Sequence, residues 1–201
     1  MNYAGIIIGE DDDEYMVATN NHVVAEVKDL IVTFADDTTA PAEVKGRDAE
    51  TDVAVISVKK ADMEKGTAEN IKIATIGEGK LKVGQGVIAI GNALGYGQSV
   101  TVGYISALDR AIHADIYDYE GLIQTDAAIN PGNSGGGVFN ESGELIGVTV
   151  AKTSSTEVEG LGFAIPINDV LPILDELMTH GYVTGRPTLG INVVEINDVM
   201  T

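Results

Sequence analysis

A serine set among glycines, in the segment 126–136, has the surroundings expected of a nucleophile. Gly132, Gly135 and Gly136 around Ser134 favour a tight turn that presents the hydroxyl and lets backbone N–H groups converge on one point. Such a turn could equally bind a phosphate group. Because a serine hydroxyl is barely acidic at neutral pH, a nucleophilic role requires a base. The histidines of the chain therefore decide between acyl transfer and anion binding.

The chain contains three histidines that could act as this base. His180 falls at the end of a predicted helix, where a partial positive charge is favourable without any function. His113 lies among Asp and Tyr residues in a predicted loop. His22 ends a predicted strand and precedes two valines. We predict that His22 is the base for Ser134.

Two aspartates, Asp52 and Asp126, each stand directly before an apolar segment. An aspartate at the start of a buried strand is costly unless its carboxylate accepts hydrogen bonds. Asp52 lies in the same half of the chain as His22, so we predict that it orients the histidine. Asp126 is predicted to be a structural acceptor that braces the loop carrying Ser134.

The composition limits the classes of partner and chemistry. The chain has 201 residues, of which 44% are apolar, enough for one large domain or two lobes sharing a core. Lys and Arg number 12 against 31 Asp and Glu, giving a net charge of −19 that argues against nucleic acid and anionic membranes as partners. The chain has no cysteine, which excludes a thiol nucleophile, disulfides and cysteine zinc sites.

The elements that must position these residues are short apolar runs separated by turn signals. Because helices do not alternate with these runs, they predict an all-β barrel or sandwich. One helix is predicted after Asn168, which could cap it, with an apolar stripe from Val170 to Met178 and an end at Gly181. A segment rich in Lys, Glu and Gly, 59–82, divides the runs into two groups and predicts a lobe boundary near residue 80.

Three segments together resemble the HtrA (DegP-like) family of trypsin-fold serine proteases: Thr19–Val24, Thr51–Val55 and Gly132–Gly136. Their order, His then Asp then Ser, matches the chymotrypsin arrangement and not the subtilisin or α/β-hydrolase orders. The segments Ile105–Arg110 and Gly162–Val170 look most similar to those of the membrane-anchored forms from Gram-positive bacteria. Further matching segments are Gly91–Gly95, Ile105–Leu108, Gln124–Asn130 and Gly162–Pro166.

The resemblance implies an all-β fold of two six-stranded antiparallel β-barrels, chymotrypsin-like, with a C-terminal helix. It places His22 and Asp52 in an N-terminal lobe, 1–80, and Ser134 in a C-terminal lobe, 81–185. Residues 186–201 are predicted to be a linker and the start of a truncated PDZ domain, so the chain is expected to be part of a longer protein.

The resemblance also implies the remaining parts of an active site. The oxyanion hole falls on Gly132, Asn133 and Ser134, with the N–H groups of Gly132 and Ser134 as donors. The residue six before the nucleophile lies at the base of the primary specificity pocket in this fold. The implied pocket residues are Ala128, Ile129, Leu161, Gly162, Phe163 and Ala164. No metal or cofactor is expected.

The implied function is a serine endopeptidase that degrades unfolded proteins outside the cytoplasm, in the cell envelope. The resemblance implies assembly as a homotrimer, no nucleic-acid partner, and membrane attachment only through a segment absent from this chain. Two alternatives stay open from the residues: a chaperone-like binding module on the same fold, and an esterase that uses the same machinery.

Overall fold

The computed structural model describes residues 2–113, 118–150 and 160–186. In that part of the chain the backbone forms eleven strands and three helices. The strands of the first half are β1 (Ile6–Glu10), β2 (Glu14–Thr19), β3 (Leu30–Thr33), β4 (Thr39–Asp48) and β5 (Val53–Lys59). Those of the second half are β6 (Gly86–Gly91), β7 (Ser99–His113), β8 (Asp118–Thr125), β9 (Gly137–Asn140), β10 (Leu145–Val150) and β11 (Gly162–Pro166). The helices are α1 (Asn21–Val24), α2 (Thr67–Asn70) and α3 (Ile167–His180).

The strand β5 is the centre of the first sheet, whose order is β1-β2-β5-β4-β3 with antiparallel neighbours. All of β5 except its last residue is buried. Val53 and Val55 face the cluster that contacts α3, while Ala54 belongs to a second cluster on the other side of the sheet. A strand covered on both faces explains why this segment is apolar at successive positions and does not alternate.

The first lobe differs from the six-stranded barrel that the resemblance implied. Its sheet has five strands and is open, because β1 pairs with β2 alone and β3 pairs with β4 alone. The segment after β5 is rich in Lys, Glu and Gly and lacks alternating apolar residues. It forms a 3-10 turn, Lys60–Asp62, and the short helix α2 in place of a further strand.

The second lobe is a closed six-stranded barrel, as the resemblance implied. Its strand order is β10-β11-β8-β7-β6-β9. The pairing of β9 with β10, in which Val138 lies opposite Gly147, completes the barrel. Its interior is filled by small and medium aliphatic side chains, among them Val87, Ile123 and Ala164. Such side chains suit the narrow interior of a barrel with few strands.

The helix α3 packs outside the strands and contacts both lobes. Its buried face consists of Ile167, Val170, Leu174 and Leu177 and lies against β4 and β5 as well as β10 and β11. Gly181 ends the helix with a φ of 79° and donates its N–H to the Leu177 carbonyl at 3.0 Å. In the described part of the chain, no helix is long and apolar enough to cross a membrane.

The prediction that Asn168 caps α3 is wrong. The helix begins at Ile167, directly after β11, and Pro166 stands at the cap position. Asn168 lies inside the first turn, and its side-chain amide donates to the Gly77 carbonyl at 3.2 Å. The amide therefore ties the helix to the segment before the barrel and does not cap the helix.

A single cluster of buried side chains joins the two sheets and α3. It includes Val53 and Val55 from the first sheet, Leu145 and Val148 from the barrel, and Leu174 from the helix. The predicted boundary near residue 80 lies between β5 and β6 and stays a prediction. Most of the predicted linker and PDZ start, residues 187–201, lies outside the described residues.

Candidate active site

The imidazole of His22 is held at the junction of β2 and the short helix α1. The side chain is 26% exposed, so it is accessible to a ligand without being free in solvent. The ring of Tyr3 stands edge-on to it, with ring centroids 6.2 Å apart and an interplanar angle of 82°. His22 is thus accessible and not in a core. It is the second residue of α1 and does not end a strand as predicted, because β2 ends at Thr19.

The carboxylate of Asp52 is fully buried and bonds to His22 through both oxygens. Oδ1 accepts the backbone N–H of His22 at 2.9 Å, and Oδ2 lies 2.8 Å from its ring Nδ1. Because a carboxylate only accepts, Nδ1 carries the proton and Nε2 is the basic nitrogen. This is the tautomer that a general base needs.

The backbone around Asp52 is also fixed. The residue has a φ of 54°, in the left-handed region that aspartate tolerates better than most residues. Its carbonyl accepts the Asn21 N–H and the Asn20 side-chain amide, each at 3.1 Å. The two segments carrying His22 and Asp52 are therefore tied together by backbone and side-chain hydrogen bonds.

A third donor reaches the Asp52 carboxylate from the other lobe. The hydroxyl of Tyr119, on β8, donates to Oδ2 at 2.8 Å. Sequence reasoning missed this residue, because the bond joins positions far apart in the chain and no local pattern marks it.

Ser134 lies in a tight turn that leads into β9, and the residue is buried, with 2% of its surface exposed. The turn is closed by the Asn133 N–H, which donates to the Asn130 carbonyl at 3.0 Å, and by the Gly136 N–H, which donates to the Asn133 carbonyl at 2.8 Å. Behind the turn, Thr149 on β10 donates its hydroxyl to the Asn133 carbonyl. The barrel therefore fixes the position of the serine.

The serine turn also contacts the first lobe. The carbonyl of Ser134 accepts the Ala4 N–H at 3.0 Å, and the Ala4 carbonyl accepts the hydroxyl of Thr19 at 2.8 Å. Thr19 ends the strand that leads to His22. A Cβ at Gly135, whose φ is 80°, would lie 2.2 Å from the Thr19 hydroxyl oxygen, so glycine is required for this approach. The fold thus brings the serine turn against the histidine segment.

The predicted oxyanion residues have different roles. Gly132 has a φ of 97°, and a Cβ there would lie 2.3 Å from the Asn92 carbonyl oxygen. The Pro131 carbonyl accepts the Leu94 N–H at 2.8 Å, and since the peptide bond is trans, the Gly132 N–H points away from Leu94. The Asn133 N–H is used within the turn. Gly132 and Ser134 stay the predicted donors, and Asn133 is the residue between them.

Two of the predicted pocket residues, Ile129 and Gly162, pack against each other. A Cβ at Gly162 would lie 2.5 Å from Ile129 Cγ1, so the isoleucine side chain covers this part of β11. Ala128, six residues before Ser134, is exposed, and its carbonyl accepts the Thr101 hydroxyl at 3.0 Å. None of these three residues carries a charge.

The other predicted pocket residues point in opposite directions from β11. Leu161 and Phe163 pack in the cluster shared with α3, whereas Ala164 belongs to the barrel interior. Neighbouring residues of a strand point to opposite faces, so the opposite directions of Phe163 and Ala164 could have been expected from the sequence. Ile129 and Gly162 are thus the predicted pocket residues that the structure brings into contact, and the pocket itself stays a prediction.

The remaining candidates lie away from this arrangement. Asp126 is exposed and accepts the Tyr104 N–H at 2.6 Å, so it is a hydrogen-bond acceptor as predicted, and its bracing of the serine loop stays a prediction. His180 is exposed at the end of α3. His113 is the last residue of β7 and does not lie in a loop as predicted, and nothing is described of its side chain. Among residues 2–113, 118–150 and 160–186, no group of three or more His, Asp or Glu side chains could hold a metal ion.

Comparison with known proteins gives a consistent set of relatives. A family model described as "Trypsin-like peptidase domain" matches residues 4–148. The chain is 42% identical to "Serine protease Do-like HtrB" of Bacillus subtilis over 202 residues, which are 98% of this chain and 42% of that protein. It is 41% identical to "Probable periplasmic serine endoprotease DegP-like" of Pseudomonas putida over 196 residues, 96% of this chain and 38% of that protein.

The structural comparison agrees with these matches. The solved structure "HtrA-type protease AlgW with decapeptide" is 37% identical and superposes with a TM-score of 0.74, covering 89% of this chain and 52% of that one. The chain spans less than half the length of the curated relatives quoted above. The resemblance predicted from the three segments is confirmed.

Proposed function

Because the chain belongs to the trypsin-like peptidase domain family, we propose that it is a serine endopeptidase with Ser134 as nucleophile, His22 as base and Asp52 as the residue that orients the base. The observation that carries the proposal is the buried Asp52 carboxylate, which bonds to both the N–H and the ring Nδ1 of His22. A structural histidine does not require a fully buried anion fixed on its ring, since the burial of a charge is costly.

The first half of the reaction forms an acyl-enzyme. Ser134 Oγ attacks the scissile carbonyl carbon while His22 Nε2 takes the hydroxyl proton. The N–H groups of Gly132 and Ser134 stabilise the negative charge that develops on the carbonyl oxygen, and each raises kcat by a factor of about 10² to 10³. The tetrahedral intermediate then collapses, the C–N bond breaks, and His22 donates its proton to the leaving amine.

The second half releases the product. A water molecule gives a proton to His22 Nε2 and attacks the acyl carbon, and the intermediate again places its negative charge between the same two N–H groups. Collapse breaks the bond to Ser134 Oγ, which recovers its proton from His22. Throughout both halves Asp52 keeps the proton of His22 on Nδ1 and stabilises the imidazolium that forms transiently.

The proposed substrates are unfolded proteins. The uncharged residues Ala128, Ile129 and Gly162 would admit apolar side chains, which are mostly buried in folded proteins and become accessible when a chain unfolds. The relatives named as periplasmic and as HtrA-type proteases support a location outside the cytoplasm. Assembly as a homotrimer and anchoring through a further segment remain parts of this proposal.

Digestion of an unfolded substrate tests the proposal. The parent should degrade reduced casein, while Ser134→Ala should not, and Ser142→Ala, which changes an exposed serine in the turn between β9 and β10, should match the parent. Parallel assays with a small ester separate a peptidase from an esterase. Binding of casein without cleavage by the parent would instead favour the chaperone-like module.

A further inference from the structure

The carboxylate of Asp52 receives three hydrogen bonds in the described structure, and two of them come from His22 itself. The third comes from the hydroxyl of Tyr119, at 2.8 Å from Oδ2. An ionised carboxylate has about four lone-pair sites, so these donors satisfy most of its capacity inside a fully buried position. Tyr119 is thus the only one of the three donors that does not belong to the residue being oriented.

We propose that Tyr119 is a positioning residue, whose hydroxyl holds the Asp52 carboxylate in the orientation that bonds to the His22 ring. This inference rests on the proposed function of His22 and Asp52. Oδ2 is shared between the Tyr119 hydroxyl and His22 Nδ1, so the direction of the first bond limits the direction of the second. In the proposed reaction, His22 takes up and releases a proton at Nε2. A fixed Asp52 carboxylate keeps the imidazole ring from rotating during this transfer.

Tyr119 lies in the barrel, whereas the Asp52 carboxylate that it holds belongs to the first lobe. The residue lies on β8, opposite Ile112 on β7, and its ring packs against the cluster shared with α3. The barrel therefore sets the position of the hydroxyl, whereas the first sheet sets the position of Asp52. The bond thus crosses between the lobes and makes the geometry of the His22–Asp52 pair depend on how the two lobes are packed.

Two other hydroxyls near the site bond to different groups. Thr19 donates to Ala4, and Thr149 donates to the serine turn. Neither is bonded to the Asp52 carboxylate. Removal of the Tyr119 hydroxyl would leave Oδ2 with His22 Nδ1 and without its donor from the barrel.

Kinetics of Tyr119→Phe test the inference. The variant keeps the ring that packs in the cluster and removes one oxygen. Since hydrogen bonds to charged groups are among the stronger ones, we expect kcat on a peptide substrate to fall about 10- to 100-fold with KM within about twofold. The matched control is Tyr104→Phe, which removes the same atom from a 58% exposed ring on β7 and should leave kcat unchanged.

A double-mutant cycle separates a positioning role from a general effect on the fold. If Tyr119 acts through Asp52, Tyr119→Phe should cause no further loss of activity in the Asp52→Asn background. Equal fold-losses from Tyr119→Phe in both backgrounds would overturn the inference. So would a loss in the single variant no larger than that of Tyr104→Phe.

The NMR signal of the proton shared by His22 Nδ1 and Asp52 gives a readout that does not depend on turnover. In Ser134→Ala protein, Tyr119→Phe should shift or broaden the low-field resonance of this proton, and Tyr104→Phe should leave it in place. An unchanged resonance in Tyr119→Phe would overturn the inference. A parent that cleaves nothing, with the resonance nevertheless sensitive to Tyr119, would contradict the proposed function alone.

Discussion

His22 and Asp52 are joined by two hydrogen bonds, one from the His22 backbone N–H to Oδ1 at 2.9 Å and one between ring Nδ1 and Oδ2 at 2.8 Å. The first bond fixes the carboxylate relative to the backbone that carries the histidine. The second fixes the ring relative to the carboxylate. Together they define the direction of Nε2 without any contribution from a substrate, so the proposed base is oriented before a substrate binds.

Asp52→Asn should separate the two aspartates of the sequence by function. The asparagine amide would favour the opposite tautomer of His22, and kcat should fall about 10⁴-fold while the protein stays folded. Asp126→Asn is the control, because Asp126 accepts only the Tyr104 N–H in the described structure. It should lower the free energy of unfolding by about 1 kcal/mol and change kcat little. Loss of activity at Asp126 with little change at Asp52 would reverse the assigned roles.

Much of this site could be predicted from the sequence, because the glycine turn at Ser134 and the segments at His22 and Asp52 are local patterns. The choice of Asp52 over Asp126 followed from the position of His22 in the chain, and the hydrogen bonds agree with it. Tyr119 could not be predicted, since its bond to Asp52 arises from the packing of one lobe against the other.

The fold was predictable to a similar depth. The barrel strands followed from apolar runs and turns, and α3 followed from its apolar stripe. The open first sheet was not predicted, because the expectation of a closed barrel there came from the family resemblance. The segment after β5 has no strand pattern in its own sequence. The opposite directions of Phe163 and Ala164 could have been predicted from the alternation along β11.

Gly135→Ala should damage both stability and activity. The new Cβ would lie 2.2 Å from the Thr19 hydroxyl oxygen and 2.4 Å from the Ala4 carbonyl oxygen, so the serine turn must move. The matched control is Gly143→Ala, where φ is 78° but no atom lies within 4 Å of the added Cβ. The control should lose about 1–2 kcal/mol in urea unfolding from the left-handed backbone alone. Gly135→Ala should lose a further ~1–3 kcal/mol from overpacking, and equal losses would contradict the proposed contact.

The proposed pocket predicts cleavage after small and medium aliphatic residues such as Val, Ala, Ile and Leu. A basic side chain entering it would lose hydration without gaining a partner, and Ile129 would crowd large aromatic rings. Each buried methylene contributes about 0.8 kcal/mol, so preferences among aliphatic residues should stay within tens of fold. Mass spectrometry of a digested denatured protein gives the cleavage sites. A majority of cuts after Lys, Arg or Phe would exclude this pocket.

Ile129→Ala should widen the same pocket. We expect the variant to gain cuts after Phe and Tyr, because the side chain that covers Gly162 is shortened. The control is Ile31→Ala, which shortens a 66% exposed isoleucine on β3 and should leave the cleavage pattern unchanged. An unaltered pattern in Ile129→Ala would place the specificity pocket elsewhere.

The pKa of the Glu176 carboxyl should be below its ordinary value, because the Thr184 backbone N–H and then the Thr184 hydroxyl donate to it. A folded-state pKa below the unfolded value means that this interaction stabilises the protein above the unfolded pKa. The stabilisation is lost as the pH falls through the folded pKa. Thr184→Val removes the hydroxyl, and NMR titration of Glu176 should show its pKa rise. Thr33→Val, at an exposed position on β3, should leave the pKa of Glu176 where it was.

Labelling with a fluorophosphonate probe tests whether Ser134 is a nucleophile that His22 activates. Peptide mapping of the labelled protein should place the probe on Ser134 with a stoichiometry near one. Labelling should be absent in Ser134→Ala, slow by orders of magnitude in His22→Ala, and normal in Ser142→Ala. A parent protein that stays unlabelled, or that carries the probe on another residue, would contradict the account.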